Sequence, residues 1–170
     1  MSRGSATAPA QRPAALQLTV VGAAAFADLP ARATLRRWIV RALEQPAQIA
    51  LVFVGTRAGR ALNRDFRGRD YATNVLTFAY EGSIAAPGKR AAGRAAITAD
   101  IVLCLPVVRR EARAQGKSLR AHLAHLVIHG VLHAQGYDHE RERAARRMQA
   151  RETELLAQLR ITDPYAAELA

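Results

Sequence analysis

A chain of 170 residues, about half of them hydrophobic, is long enough for one compact domain and too short for two full ones. The formal net charge of +11 favours a polyanionic partner such as nucleic acid, although an arginine-rich chain can also carry this charge on solvated helix faces. A single cysteine, Cys104, excludes an intramolecular disulfide, and no apolar run approaches the ~20 residues of a membrane span. We therefore expect a soluble cytoplasmic protein.

The spacing of apolar residues predicts a mixture of strands and helices. Short alternating or continuous apolar runs predict strands, and apolar residues three or four apart predict helices that end at proline or glycine. In chain order we predict a strand at 16–21, a helix at 31–45, a strand at 49–54, a short helix around 62–66, strands at 73–80 and 96–103, and helices at 106–115, 118–135 and 140–159. A loop rich in glycine, proline and alanine is expected at 81–93.

This mixture of elements predicts an α+β fold. We expect a single layer of about four mixed strands packed with about five helices. One domain at 16–160 is predicted, flanked by a disordered tail at 1–15 and a C-terminal tail at 161–170.

All five histidines lie between His122 and His139. On a helix, His129 and His133 are one turn apart and can bind the same metal ion. Gly136 is suited to end that helix and to fold the chain back, which brings His139 toward the pair. The spacing HxxxHxxGxxH predicts a zincin-like histidine helix with three imidazole ligands and an open fourth position, as in catalytic zinc sites. Ligand type alone leaves nickel and copper open.

The neighbouring polar residues have less specific patterns. His122 and His125 are expected to pack or to be solvated, and Asp138 either orients an imidazole or is solvated. In the zinc-protease motif HExxH a glutamate general base follows the first histidine, whereas Gly130 occupies that position here. A hydroxide generated by the metal can attack without this base. The pattern therefore argues against peptide hydrolysis and leaves phosphodiester hydrolysis open.

Three motifs have the residues and spacing of a known family. The histidine segment reads HGVLHAQGYDH, residues 62–78 read LNRDFRGRDYATNVLTF, and residues 99–104 read ADIVLC. They resemble the HGxLHLxGYDH, LNxxYRxxDxPTNVLSF and GDIxIC motifs of the YbeY endoribonucleases, bacterial factors for ribosomal RNA maturation. The last predicted helix, with its ArgMet pair at 147–148 and its ETELL run from 152, is also similar to the family's. The similarity spans about Leu16 to Leu159.

The resemblance implies a single-strand-selective endoribonuclease that acts in ribosomal RNA processing and small-subunit quality control. It implies that His129, His133 and His139 bind one Zn²⁺ ion, which activates water, and that Arg67 is required for ribonuclease activity. An arginine is always cationic and can hold a phosphate with a planar fork of donors. The expected partners are RNA, namely ribosomal RNA and the small ribosomal subunit, with no membrane and no DNA.

Other matches and departures lie outside the proposed ligands. Asp70 and Asn74 match family positions and are expected to have turn or capping roles first. Alanine replaces a proline or glycine of the family at 72, 79 and 99, and Ala134 and Gln135 replace leucines. We expect these exchanges to affect local packing more than the chemistry.

Two other functions remain open at this point. A zinc metalloprotease shares the ligand spacing, and a non-catalytic ribosome-assembly factor would use zinc only to stiffen its fold. For the endoribonuclease itself, the residues do not decide whether the metal hydroxide or the ribose 2′-hydroxyl attacks phosphorus.

Overall fold

The structure is a computed structural model that describes residues 14–80 and 96–166. The loop predicted at 81–93 and most of the tail predicted at 1–15 lie outside the described residues. Among the described residues, no helix has both the length and the apolar character needed to cross a membrane.

The strands and helices occur in the predicted order. The strands are β1 (Leu16–Val21), β2 (Ala47–Val54), β3 (Val75–Ala79) and β4 (Ile97–Cys104), and the helices are α1 (Arg32–Ala42), α2 (Thr56–Arg67), α3 (Leu105–Ala114), α4 (Leu119–Ala134) and α5 (Glu142–Gln158). A short 3₁₀ turn at Ala23–Ala25 was not predicted. Four strands in one sheet with five α-helices confirm the α+β fold class.

The sheet has the strand order β1-β2-β4-β3. The pairs β1–β2 and β2–β4 are parallel, while β3 runs antiparallel to β4. Ile97, Ala99, Ile101 and Leu103 alternate along β4 and are almost completely buried, as expected for a central strand covered by helices. The strand β3 therefore forms one edge of the described sheet.

Helix α1 ends at Ala42, three residues earlier than predicted. The reason is tertiary, because the buried Gln135 at the end of α4 forms hydrogen bonds at this terminus. Its amide donates to the carbonyl oxygen of Ala42 over 2.8 Å, and its Oε1 accepts the backbone N–H of Glu44 over 2.7 Å. Gln135 thus satisfies backbone groups that the end of a helix leaves unpaired.

Helix α4 is the central helix of the domain. Ser118 caps it, since the Ser118 hydroxyl oxygen accepts the backbone N–H of Ala121 over 3.1 Å. Ten of its sixteen residues are buried, and it packs against α1, α3, α5 and the β3–β4 side of the sheet. A helix that is apolar on most of its faces is expected in such a core position. Two of the three predicted metal ligands, His129 and His133, are therefore carried by this largely buried helix.

Gly130 allows α4 to approach the sheet closely. A Cβ atom added at this position would lie 2.7 Å from Cγ2 of Ile101 on β4 and 3.2 Å from Oγ1 of Thr77 on β3. A contact of 2.7 Å is a steric clash, and the fully buried Ile101 has little room to move away. The absence of a side chain at Gly130 thus brings the histidine face of α4 beside β3.

We expect Gly130→Ala to lower the free energy of unfolding by about 1–2 kcal/mol. Overpacking a tight core costs ~1–3 kcal/mol, and the higher helix propensity of alanine offsets up to ~1 kcal/mol of this. Chemical denaturation measures the change. Gly55→Ala is the matched control, because nothing lies within 4 Å of a Cβ added there. Equal stability of the two variants would contradict the steric interpretation.

Candidate metal centre

Three histidines from two segments converge at one end of α4. His129 and His133 project from the helix, and Gly136, with φ of 89°, reverses the chain so that His139 returns toward them. The ring centroids are 4.5 Å apart for His129 and His133 and 4.8 Å apart for His133 and His139. One nitrogen of each ring lies within 4.8 Å of the other two. The predicted triplet is thus brought together in space.

In two of the three rings, Nδ1 already forms a hydrogen bond within the protein. Nδ1 of His133 lies 2.9 Å from the carbonyl oxygen of Tyr137, which can only accept, so this nitrogen carries the proton. Nδ1 of His129 likewise donates to Oε1 of Glu152 over 2.6 Å. Each ring therefore presents Nε2 as a lone-pair donor. This tautomer is the one that a metal-binding imidazole needs, and the donor set fits zinc.

Glu152 on α5 is a site residue that the sequence interpretation missed. Its side chain is completely buried and accepts hydrogen bonds from His129, from Nε2 of His125 at 3.2 Å, and from the hydroxyl of Tyr165. A buried carboxylate is costly unless it is paired and hydrogen-bonded, and this one is. The only sequence signal was a single glutamate on the inner face of the last helix. Nothing in its spacing connected it with histidines 23 and 27 residues earlier.

Two pKa shifts fit this arrangement. Burial would raise the pKa of Glu152, but hydrogen bonds from His125 and His129 outweigh it and lower the pKa to about 2. Burial, together with the nearby His129 and His139, lowers the pKa of His133 to about 4. At neutral pH the carboxylate is therefore ionised and His133 is neutral. Glu152 thus supplies an anionic acceptor behind His129, and His133 keeps the neutral form that a metal-binding imidazole needs.

Arg67 is the last residue of α2 and lines the same cavity as the three histidines. Gly68, with φ of 64°, ends the helix at this point. In the segment that follows, both carboxylate oxygens of Asp70 accept hydrogen bonds from Arg60, at 2.8 and 2.6 Å. Asp70 thus pairs with an arginine of α2, and no hydrogen bond of its carboxylate to a turn or a helix end occurs among the described residues. Arg67 itself forms no hydrogen bond or ion pair with another described residue, so its guanidinium is available to an anion.

The cavity has a volume of about 330 Å³. Its lining is formed by Arg67, Thr73, Asn74, Val75, Thr77, Ala79, His129, His133 and His139. No carboxylate is among these lining residues within the described part of the chain. A side chain at position 130 could not supply a carboxylate to the cavity, because its Cβ would point into the sheet and collide with Ile101. The site therefore lacks the general base of an HExxH protease for a structural reason.

The remaining polar residues have supporting roles. His122 is buried, and its Nε2 lies 2.8 Å from Oε2 of Glu111, which also accepts a hydrogen bond from Asn74 over 3.0 Å. Burial lowers the pKa of His122 more than Glu111 raises it. His125 is bonded to Glu152, so both histidines belong to the packed network. Asp138 accepts the backbone N–H groups of residues 139 and 140 and orients no imidazole.

Comparison with known proteins places these features in a family. The sequence matches the family profile described as Endoribonuclease YbeY over residues 27–160. A relative named Endoribonuclease YbeY from Methylibium petroleiphilum is 53% identical over 158 residues, which cover 93% of this chain and 98% of the relative. One of the same name from Nitrosospira multiformis is 51% identical over 159 residues, which cover 91% and 84%.

A solved structure has the same fold. The solution structure of TM1509 from Thermotoga maritima has a TM-score of 0.51 with 24% sequence identity, covering 85% of this chain and 92% of that one. At this level of identity the likeness concerns the fold alone.

We expect Glu152→Gln to weaken zinc binding by about 10- to 100-fold, the usual effect of losing a group that orients a metal-binding histidine. The amide keeps the shape of the side chain but removes the negative charge that accepts the hydrogen bond from Nδ1 of His129. Competition with a chromophoric chelator measures the affinity. Glu154→Gln, two residues later with its side chain 57% exposed, is the control. Affinities of both variants equal to wild type would rule out the orienting role.

Proposed function

Because the chain belongs to the endoribonuclease YbeY family, and is an enzyme that hydrolyses phosphodiester bonds of RNA, we propose that its active site consists of one zinc ion held by His129, His133 and His139 together with Arg67. One observation carries this proposal. One ring nitrogen from each of three histidines lies within 4.8 Å of the other two, in a cavity that an arginine without a described partner also lines.

The proposed substrate is single-stranded RNA, in particular ribosomal RNA and the small ribosomal subunit in the cytoplasm. A phosphate must enter a recessed cavity between β3 and α4 to reach the histidines, and a flexible single strand can bend to do so. The net charge of +11 supports a polyanionic partner through counterion release. The family name supports RNA as the substrate class.

The residues of the chain divide the chemistry among them. Zinc, when bound, supplies a Lewis acid and lowers the pKa of water to near neutrality. Arg67 holds the scissile phosphate with its planar donors and stabilises the negative charge that grows during attack. Glu152 keeps His129 in the tautomer that presents Nε2. The hydroxyls of Thr73 and Thr77 line the cavity and can donate hydrogen bonds to substrate oxygens.

The two alternative functions lack such support. A metalloprotease needs a carboxylate general base, and neither position 130 nor the described lining of the cavity offers one. A purely structural zinc site has four protein ligands, whereas three histidines leave one position open. A structural zinc site also does not require a cationic side chain such as Arg67 in the same cavity.

We expect the purified protein to contain one zinc ion per chain and His139→Ala to lose both the zinc and the cleavage of RNA. His139 is exposed and its ring packs beside the other two ligand rings outside the core, so this variant should remain folded. Elemental analysis and digestion of single-stranded RNA measure the two losses, and Glu140→Ala is the control. Metal-free wild type with full activity would refute the site. Digestion of casein in parallel would identify a protease instead.

We expect Arg67→Ala to reduce kcat by about 10²- to 10³-fold, as removal of one donor to a developing oxyanion commonly does. Binding of RNA should be largely retained, because many other basic residues contribute to it. Single-turnover cleavage and fluorescence anisotropy separate the two effects. Arg64→Ala, one turn earlier on α2 and paired with Asp65, is the control. Unchanged turnover in Arg67→Ala would favour the assembly-factor function. End-group analysis of the wild-type products identifies the attacking group.

A further inference from the structure

The exposed aromatic side chains of the described residues are concentrated beside the cavity. The large hydrophobic residues with exposed side chains are Val21, Phe66, Tyr71 and Tyr80. Three of these four are aromatic and lie within fifteen residues of one another, in a chain with only 5% aromatic residues. Phe66 is the most exposed, at 65%. A single exposed apolar residue is common, whereas a group of exposed aromatic residues in a segment that also lines a cavity is typical of a binding surface.

Phe66 forms an aromatic pair with Phe78. Their ring centroids are 4.9 Å apart, and the ring planes meet at 64° in an edge-to-face arrangement. Phe66 directly precedes Arg67, and Phe78 lies between Thr77 and Ala79 on β3, and all three of these neighbours line the cavity. The pair is therefore one residue away from the cavity along both elements.

The pair lies across the edge strand from the metal ligands. Successive side chains of a strand point to opposite faces, so Phe78 faces away from Thr77 and the cavity, toward α2. No strand of the described sheet pairs with the outer edge of β3. A single nucleic-acid strand that leaves the cavity at Arg67 can pass over this edge and reach the exposed ring of Phe66.

The net positive charge around the Phe66–Phe78 pair indicates which class of partner can bind there. Within residues 56–71, arginines outnumber acidic residues by five to two. The two aspartates, Asp65 and Asp70, are already in salt bridges with Arg64 and Arg60. An apolar ring surrounded by surplus cations is complementary to a nucleotide, whose base stacks and whose phosphate is anionic. It is poorly suited to the apolar face of a protein partner.

We propose that Phe66, supported by Phe78, is a stacking platform for the nucleobase next to the scissile phosphate held by Arg67. The inference rests on the proposed active site, because it uses Arg67 as the reference point for the phosphate. Stacking on an aromatic ring tolerates any base, so the platform contributes affinity and positioning without strong sequence preference.

The test compares variants of Phe66 on a short RNA with one cleavage site. Phe66→Ala and Phe66→Leu should raise KM by about 5- to 150-fold, which corresponds to the ~1–3 kcal/mol that stacking of one base contributes. Phe66→Tyr should behave like wild type, because it retains an aromatic face. Val21→Ala, an exposed apolar residue on β1, is the control. A merely structural role in covering Phe78 would be fulfilled by leucine, so wild-type behaviour of Phe66→Leu would overturn the proposal.

Abasic RNA provides an independent test, because it removes the stacked base instead of the aromatic ring. Wild type should lose affinity by the same factor when the base on one side of the scissile phosphate is removed, and Phe66→Ala should show no further loss on that RNA. Additive losses, or no effect of either abasic position, would overturn the platform. If zinc-loaded wild type cleaves no RNA, the same comparisons are made by anisotropy of bound RNA. Failure of the proposed active site is then distinguishable from failure of the platform.

Discussion

The close contact between α4 and the sheet at Gly130 determines the geometry of the site. Because a Cβ there would collide with Ile101, a side chain at this position is excluded and the helix lies directly against β3 and β4. This contact brings His129 and His133 beside the residues of β3 that line the cavity. It also removes the position from which a zinc protease supplies its general base. One steric constraint thus both forms the cavity and restricts its chemistry.

The second determinant is a buried charge. Glu152 is withdrawn from water on α5, where three donors from α4 and the C-terminal segment satisfy it. Such a group contributes little net stability, since the cost of desolvation offsets most of the gain from pairing. Its value lies in specificity, because only one tautomer and one ring orientation of His129 satisfy it. The fold therefore retains a costly carboxylate where the proposed metal needs a precisely oriented ligand.

Arginines with different surroundings have different uses in this chain. Arg60 pairs with Asp70 in the segment between α2 and β3, and Arg64 pairs with the adjacent Asp65 on α2 itself. Arg67, at the end of the same helix, has no described partner and lines the cavity. Arg60, Arg64 and Arg67 lie three or four residues apart and share one face of α2. The contrast therefore comes from the acids, since Asp70 and Asp65 pair with Arg60 and Arg64 and no described carboxylate pairs with Arg67. Unpaired positive charge is thus left at the end of α2 that lines the cavity.

The sequence by itself determined the order and type of the elements, the family and the histidine triplet. These follow from local patterns: apolar spacing, a helix-ending glycine at 136 and short motifs whose residues are adjacent along the chain. The tertiary structure alone decided the contacts of Glu152, Gln135 and Phe66, and the early end of α1. Each of these depends on a contact between residues distant in sequence, such as the 23 positions between His129 and Glu152. Periodicity reports which face of an element is buried, but it carries no information about which distant residue lies opposite.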